Sequence, residues 1–175
     1  ASGIDIGKPS TDFIVEHIPE HKKVIEKAKQ LINNYSERIV FPTDVALNEN
    51  GLRRGAPVSE LPTEYPIYDI GLDTLVSYIG IIEKAGTIIS NGPMGVFEDS
   101  EFAAGTRETF NAMAESKAIV AVGGGETAMA FNQMGLSKKV EHLSTGGGAC
   151  ISFMSGETMP VLEAIRQSKV RYENK

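Results

Sequence analysis

Three glycine-rich clusters hold the residues best placed to do chemistry in this chain. They are Asn91-Gly92-Pro93-Met94-Gly95-Val96-Phe97-Glu98, Gly123-Gly124-Gly125-Glu126-Thr127 and Ser144-Thr145-Gly146-Gly147-Gly148. Each follows a short apolar run and precedes a helical pattern. A strand-to-helix turn stripped of side chains exposes the N–H groups of a helix N-terminus, where the helix dipole favours an anion. Several such turns together suit a polyphosphate held by the main chain, with no lysine or arginine needed. In the second cluster Thr127 offers a hydroxyl in the first helical turn, and Glu126 offers a carboxylate for a magnesium ion on the phosphates. The plainer alternative is a tight turn in which Glu126 only complements the dipole. Ser144 and Thr145 either cap the next helix or ligate an anion. Glycine costs about 1 kcal/mol relative to alanine inside a helix, so several at a helix start argue for close approach there. In the first cluster Asn91 is able to hydrogen-bond a phosphate and Glu98 to accept from ribose hydroxyls, although Asn-Gly-Pro is equally a common turn. Asp69-Ile70-Gly71 is a weaker signal, since Gly71 is as well explained as the end of a strand.

These turns need elements to position them. Residues 1–19 read as irregular, punctuated by Gly3, Gly7, Pro9, Ser10 and Pro19. From Glu20, the positions Val24, Ile25, Ala28, Leu31, Ile32 and Tyr35 recur at helical spacing. Arg38-Ile39-Val40-Phe41 reads as a strand stopped by Pro42, and residues 48–65 as a long loop. A strand over 66–70 leads to a helix marked by Leu72, Leu75, Val76, Ile79 and Ile82. The strand Thr87-Ile88-Ile89-Ser90, a helix near 100–115, the strand 118–122 and a helix over 126–135 follow. A short strand at His142-Leu143, a helix over 147–155 and a last helix opened by Pro160 complete the chain. The alternation predicts an α/β fold: a three-layer α/β/α, Rossmann-like parallel sheet. In such sheets ligands collect at the carboxyl ends of the strands, where all three clusters fall.

The chain has 175 residues, 41% hydrophobic and 23% charged, which suits one domain spanning residues 1–175 with a substantial core. A net charge of −6 gives no pull toward nucleic acid or an anionic membrane surface. No apolar run approaches the ~18–20 residues of a membrane span. A single cysteine, Cys150, fits a reducing cytoplasm and excludes an internal disulfide framework. Three scattered histidines argue against a Cys/His zinc site. The opening Ala1-Ser2-Gly3, without methionine, leaves open that this is an internal piece of something longer.

Taken in order, the segments resemble the C-terminal, nucleotide-binding domain of phosphoglycerate kinase. The stretch from Ile89 to Glu98, with Phe102-Ala103-Ala104-Gly105-Thr106 after it, is similar to the family's signature. The runs Val122 to Thr127 and His142 to Ala149 follow in the family's order and spacing. Phe41-Pro42-Thr43-Asp44-Val45 and Asp69-Ile70-Gly71-Leu72-Asp73-Thr74 have counterparts there, and Met159 to Ala164 looks like the archaeal branch. The resemblance implies that Tyr68 and Val96 border the adenine of ADP or ATP and that Pro93 and Glu98 face the ribose. Asn91, Gly125 and Thr127 would meet the phosphates, and Glu126 would lie near Mg2+. The backbone at Gly125, Gly146, Gly147 and Gly148 would hold the phosphoryl group in transit. The family usually has Asp where this chain has Glu126. The extra methylene moves the carboxylate by ~1.5 Å, so direct ligation, a water-mediated contact and charge balance alone all stay open.

The reaction implied is reversible phosphoryl transfer between 1,3-bisphosphoglycerate and ADP, giving 3-phosphoglycerate and ATP. The family's N-terminal domain, which binds the triose phosphate, has no counterpart here, and neither do the opening strand–helix units of the nucleotide domain. The sheet is therefore expected to be incomplete on its N-terminal side and the chain inactive alone. Exposed sheet edge and apolar surface would favour self-association. The alternative from a different class is a stand-alone, non-catalytic nucleotide- or phosphate-binding module. A Rossmann-type dehydrogenase ranks last, because Gly123-Gly124-Gly125 lacks the G-x-G-x-x-G spacing.

Overall fold

A computed structural model describes residues 1–173 of the chain. They fall into two units, one formed by Ala1–Ile82 with Met94–Thr109 and the other by Glu83–Pro93 with the chain from Phe110 onward.

The first unit opens with helix α1 (Lys8–His17) and helix α2 (His21–Tyr35). The irregular stretch expected at 1–19 is thus largely helical: Pro9 sits in the first turn of α1, where its missing N–H removes no hydrogen bond. No strand forms at 38–41. Strand β1 (Asp44–Glu49) begins beyond Pro42, and the N–H groups of Thr43 and Asp44 donate to the Thr74 hydroxyl at 2.9 and 3.1 Å. The expected loop at 48–65 contains strand β2 (Leu52–Pro57), paired antiparallel with β1. Asn50 and Gly51, with φ of 54° and 89°, form the two-residue turn between them. Both positions need the left-handed region that Asn and Gly tolerate. Strand β3 (Ile67–Ile70) pairs antiparallel with the other side of β1, giving the order β2-β1-β3. Val45, Leu47 and Ala56 form its core with Val58, Leu61, Tyr65 and Ile67. Helix α3 (Leu72–Ile82) follows.

The second unit is the parallel sheet expected from the sequence. Strands β4 (Thr87–Asn91), β5 (Ile119–Gly123) and β6 (His142–Ser144) lie side by side in the order β4-β5-β6. Helix α4 (Ala104–Glu115) starts in the first unit and ends in this one. Helices α5 (Gly125–Gln133), α6 (Gly147–Met154) and α7 (Pro160–Glu173) complete it. Val120 and Val122 are buried on β5, and the rings of Phe110 and Phe131 stack with centroids 4.2 Å apart. The α/β class read from the sequence therefore stands, with helices flanking a parallel sheet; the strand expected at 66–70 as part of that sheet lies instead in the antiparallel sheet of the first unit. No helix among the described residues is long and apolar enough to cross a membrane.

Candidate functional site

In the second unit the three glycine corners meet. Asn91 pairs with Gly123, and Gly123 with Ser144, so the carboxyl ends of β4, β5 and β6 stand level. The Gly124 N–H donates to the Ser144 carbonyl at 3.1 Å, carrying the pairing one residue past β5. Gly124, with φ of 109°, is the N-cap of α5, and Gly146 is the N-cap of α6. Helix geometry leaves the N–H groups of Gly125, Glu126 and Thr127, and of Gly147, Gly148 and Ala149, without intrahelical acceptors. Two helix N-termini therefore open at one rim.

The glycines of this rim divide into two kinds. A Cβ on Gly147 would lie 2.8 Å from the Gly124 Cα, and one on Gly124 would lie 3.0 Å from Asn91 Oδ1, so these two are bare because the corners pack on each other. A Cβ on Gly125 would come no closer than 3.8 Å to its neighbours, the nearest being the Thr145 carbonyl oxygen, and one on Gly148 would meet nothing within 4 Å. Both residues are exposed, and neither has a positive φ. Among the described residues no packing contact asks for glycine at Gly125 or Gly148.

Asn91 is exposed, with its amide oxygen close to Gly124 and Gly147. Thr127 is buried, and its hydroxyl accepts from the Gly92 N–H at 2.8 Å, tying the Asn91 turn to α5. Pro93 is half-buried, and Glu126 is exposed in the first turn of α5. Among the described residues no group of three or more His, Cys, Asp or Glu is arranged to hold a metal. One exposed carboxylate at a rim of amide donors does fit magnesium carried on phosphates, since that ion takes one or two carboxylates and fills its shell with water and phosphate oxygens.

The remaining sequence-derived candidates lie in the first unit. Tyr68 is half-buried in β3, edge-on to Phe102 with centroids 5.1 Å apart. The Val96 N–H donates to the Tyr68 carbonyl at 2.7 Å, and Glu98 is exposed two residues on. Tyr68 and Val96 line an apolar cavity of about 560 Å³ together with Ile4, Ile6, Phe13 and Phe41. That volume lies within the range of small-molecule sites. Reading 1–19 as irregular hid the contribution of Ile4, Ile6 and Phe13; the alternation of Ile4 and Ile6 before a proline-opened helix was the available signal.

The fold and rim define an α/β protein whose parallel strands end in bare corners at helix N-termini. Comparison with known proteins makes the class specific. The family model described as phosphoglycerate kinase matches residues 1–157. The phosphoglycerate kinase of Thermoplasma acidophilum is 45% identical over 173 residues, which is 99% of this chain and 42% of the relative. That of Methanothermus fervidus is 43% identical over 171 residues, 98% of this chain and 41% of the relative. The crystal structure of phosphoglycerate kinase from Pyrococcus horikoshii superposes with a TM-score of 0.83 at 36% identity, covering 94% of this chain and 41% of that one. The phosphoglycerate kinase from Coxiella burnetii gives 0.76 at 31% identity, covering 89% and 40%. The chain belongs to the phosphoglycerate kinase family, and it spans about two fifths of the length of these relatives.

Proposed function

We propose that this chain is the nucleotide-binding part of a cytoplasmic, glycolytic phosphoglycerate kinase, taking ADP or ATP with Mg2+. The observation that carries this is the pair of open glycines, Gly125 and Gly148, at helix N-termini that the Asn91, Gly123 and Ser144 register sets side by side. A helix start gains nothing from glycine where alanine fits, so the bareness serves something that approaches from outside.

In the second unit, Asn91 and the N–H groups from Gly125 to Thr127 receive the nucleotide phosphates, with Pro93 beside the ribose. The N–H groups at Gly147 and Gly148, with Gly146 ahead of them, hold the phosphoryl group as it moves. In the first unit, Tyr68 and Val96 contact the base and Glu98 accepts from the ribose. Magnesium, when bound on the phosphates, offsets their charge; Glu126 adds one carboxylate beside it, directly or through water. In the transfer an ADP oxygen forms a bond to the acyl-phosphate phosphorus while the bond to the acyl oxygen breaks, and 3-phosphoglycerate leaves as a carboxylate. No protein nucleophile is needed, so positioning and charge stabilisation are what the chain supplies.

Titrating the chain with ADP and Mg2+ while following backbone amide signals tests the reading. The N–H groups of Gly125, Glu126 and Thr127 are expected to shift together in one saturable transition, because all three belong to the first turn of α5. Shifts scattered over the surface, or no saturation at millimolar ADP, would count against nucleotide binding here.

A further inference from the structure

The Asp69 side chain is fully buried in β3, immediately after Tyr68. Its carboxylate accepts from Arg53 Nη1 at 2.9 Å, from the Gly105 N–H at 2.8 Å and from the Ile70 N–H at 2.8 Å. Two glycines press against the same group. A Cβ on Gly95 would lie 2.7 Å from Asp69 Oδ1, and one on Gly105 only 2.1 Å away. Gly95 also takes φ of 56°, which disfavours a side chain. The segment between these glycines therefore leaves one carboxylate and returns to it. Val96 and Glu98 ride on that segment.

Within the segment the backbone bonds are few: Asp99 N–H to Val96 O at 3.1 Å and Phe102 N–H to Asp99 O at 2.9 Å. Arg53 reaches the same place from β2, donating to the Ile70 carbonyl at 2.8 Å and to the Glu101 carbonyl at 3.4 Å. A buried ion pair is a poor source of net stability, because desolvation offsets most of the attraction. A directional anchor at both ends of a sparsely bonded loop is a better account of it.

The geometry points to Asp69, neutralised by Arg53, as a positioning residue for nucleoside recognition, an inference that rests on the nucleotide reading above. Together with the Val96 N–H bond to the Tyr68 carbonyl, it sets where Val96 and Glu98 stand relative to Tyr68. The phosphate-facing amides belong to other segments and do not depend on it.

The test compares ADP with inorganic pyrophosphate, each with Mg2+, on the whole chain. Asp69→Asn keeps the shape but sets an amide against donors, and it is expected to weaken ADP at least tenfold while pyrophosphate stays within twofold. Arg53→Gln moves ADP the same way, and Arg53→Lys recovers part of the loss. Equal weakening of both ligands, or an unchanged ADP affinity, overturns the positioning role and leaves the pair a purely structural one. Wild-type chain that binds pyrophosphate as well as ADP also overturns it while sparing the phosphate rim. Binding of neither ligand overturns the nucleotide reading itself. Should Asp69→Asn unfold, as circular dichroism would show, the Arg53→Lys ratio of ADP to pyrophosphate decides in its place.

Discussion

Among the described residues, a methyl group at Gly148 would meet nothing within 4 Å beyond its chain neighbours and its own helix backbone, whereas one at Gly147 would strike the Gly124 backbone. That contrast separates glycines that packing requires from glycines that packing leaves unexplained. Gly148→Ala is expected to raise stability by up to about 1 kcal/mol, because alanine is the better helix former. The same methyl stands where the moving phosphoryl group would approach, so ATP affinity should fall about tenfold, the equivalent of ~1.4 kcal/mol. Thermal melts and calorimetry on one preparation check both halves, and an alanine variant that is stabilised with ATP affinity intact would remove the functional reason for the glycine. Thr127 makes the opposite case. It is 1% exposed and its hydroxyl is the acceptor for the Gly92 N–H. Thr127→Val keeps the shape and removes the acceptor of that N–H, which should cost about 0.5–1.5 kcal/mol in urea unfolding. Its first task is to hold the Asn91 turn against α5.

At the scale of elements, α3 is capped from a distance. The Asp44 carboxylate in β1 accepts from the N–H groups of Asp73 and Thr74 at 3.1 and 2.7 Å and from the Thr74 hydroxyl at 2.6 Å. Burial pushes the Asp44 carboxyl up, but the Thr74 hydroxyl and the two N–H donors outweigh it and hold it below the usual carboxylate range. A folded value below the unfolded one means stability that is present above about pH 3.9 and drains away as pH falls through the folded value. Asp44→Ala should therefore cost about 1 kcal/mol at pH 7. The gap to wild type, measured by urea unfolding, should narrow steadily below about pH 4. A gap that stays constant would mean the carboxylate charge contributes nothing to the cap. Gly71 belongs to this arrangement, since a Cβ there would fall 2.0 Å from the Asp44 carboxyl carbon. From sequence Gly71 reads as a strand end, and nothing local reveals a carboxylate arriving from Asp44. The same limit explains the missed hairpin. Asn50-Gly51 is a strong turn signal, but Leu52-Arg53-Arg54-Gly55 shows no alternation, because only Ala56 on β2 is buried. Where the apolar strands are flanked by bare turns, as at Asn91, Gly123 and Ser144, period and punctuation agree and the sequence is enough to place the rim. The cavity beside Tyr68 and Val96 draws on Ile4, Phe13 and Phe41, far apart in the chain, and no local pattern announces it.

For the whole molecule, the charges decide what the chain is able to do by itself. A triose phosphate needs cationic donors, and most arginines here already have carboxylate partners: Arg53 with Asp69, Arg54 with Glu49 at 2.7 Å, Arg107 with Glu108 at 2.8 Å and Arg166 with Glu163 at 3.8 Å. The rim itself offers amides, hydroxyls and the Glu126 carboxylate, with no lysine or arginine among its residues, on a chain of net charge −6. Main-chain amides grip a nucleotide phosphate at short range, but they exert no long-range pull on a second anionic substrate. Transfer also needs both reactants held in line. The 175-residue chain is therefore expected to bind ADP with Mg2+ and yet form no ATP from 1,3-bisphosphoglycerate above the uncatalysed background. A coupled assay run at saturating ADP checks this directly. Turnover comparable with that of a full-length phosphoglycerate kinase would show that the amides of this rim suffice to bring both substrates together, and the division of labour argued from its charges would be wrong.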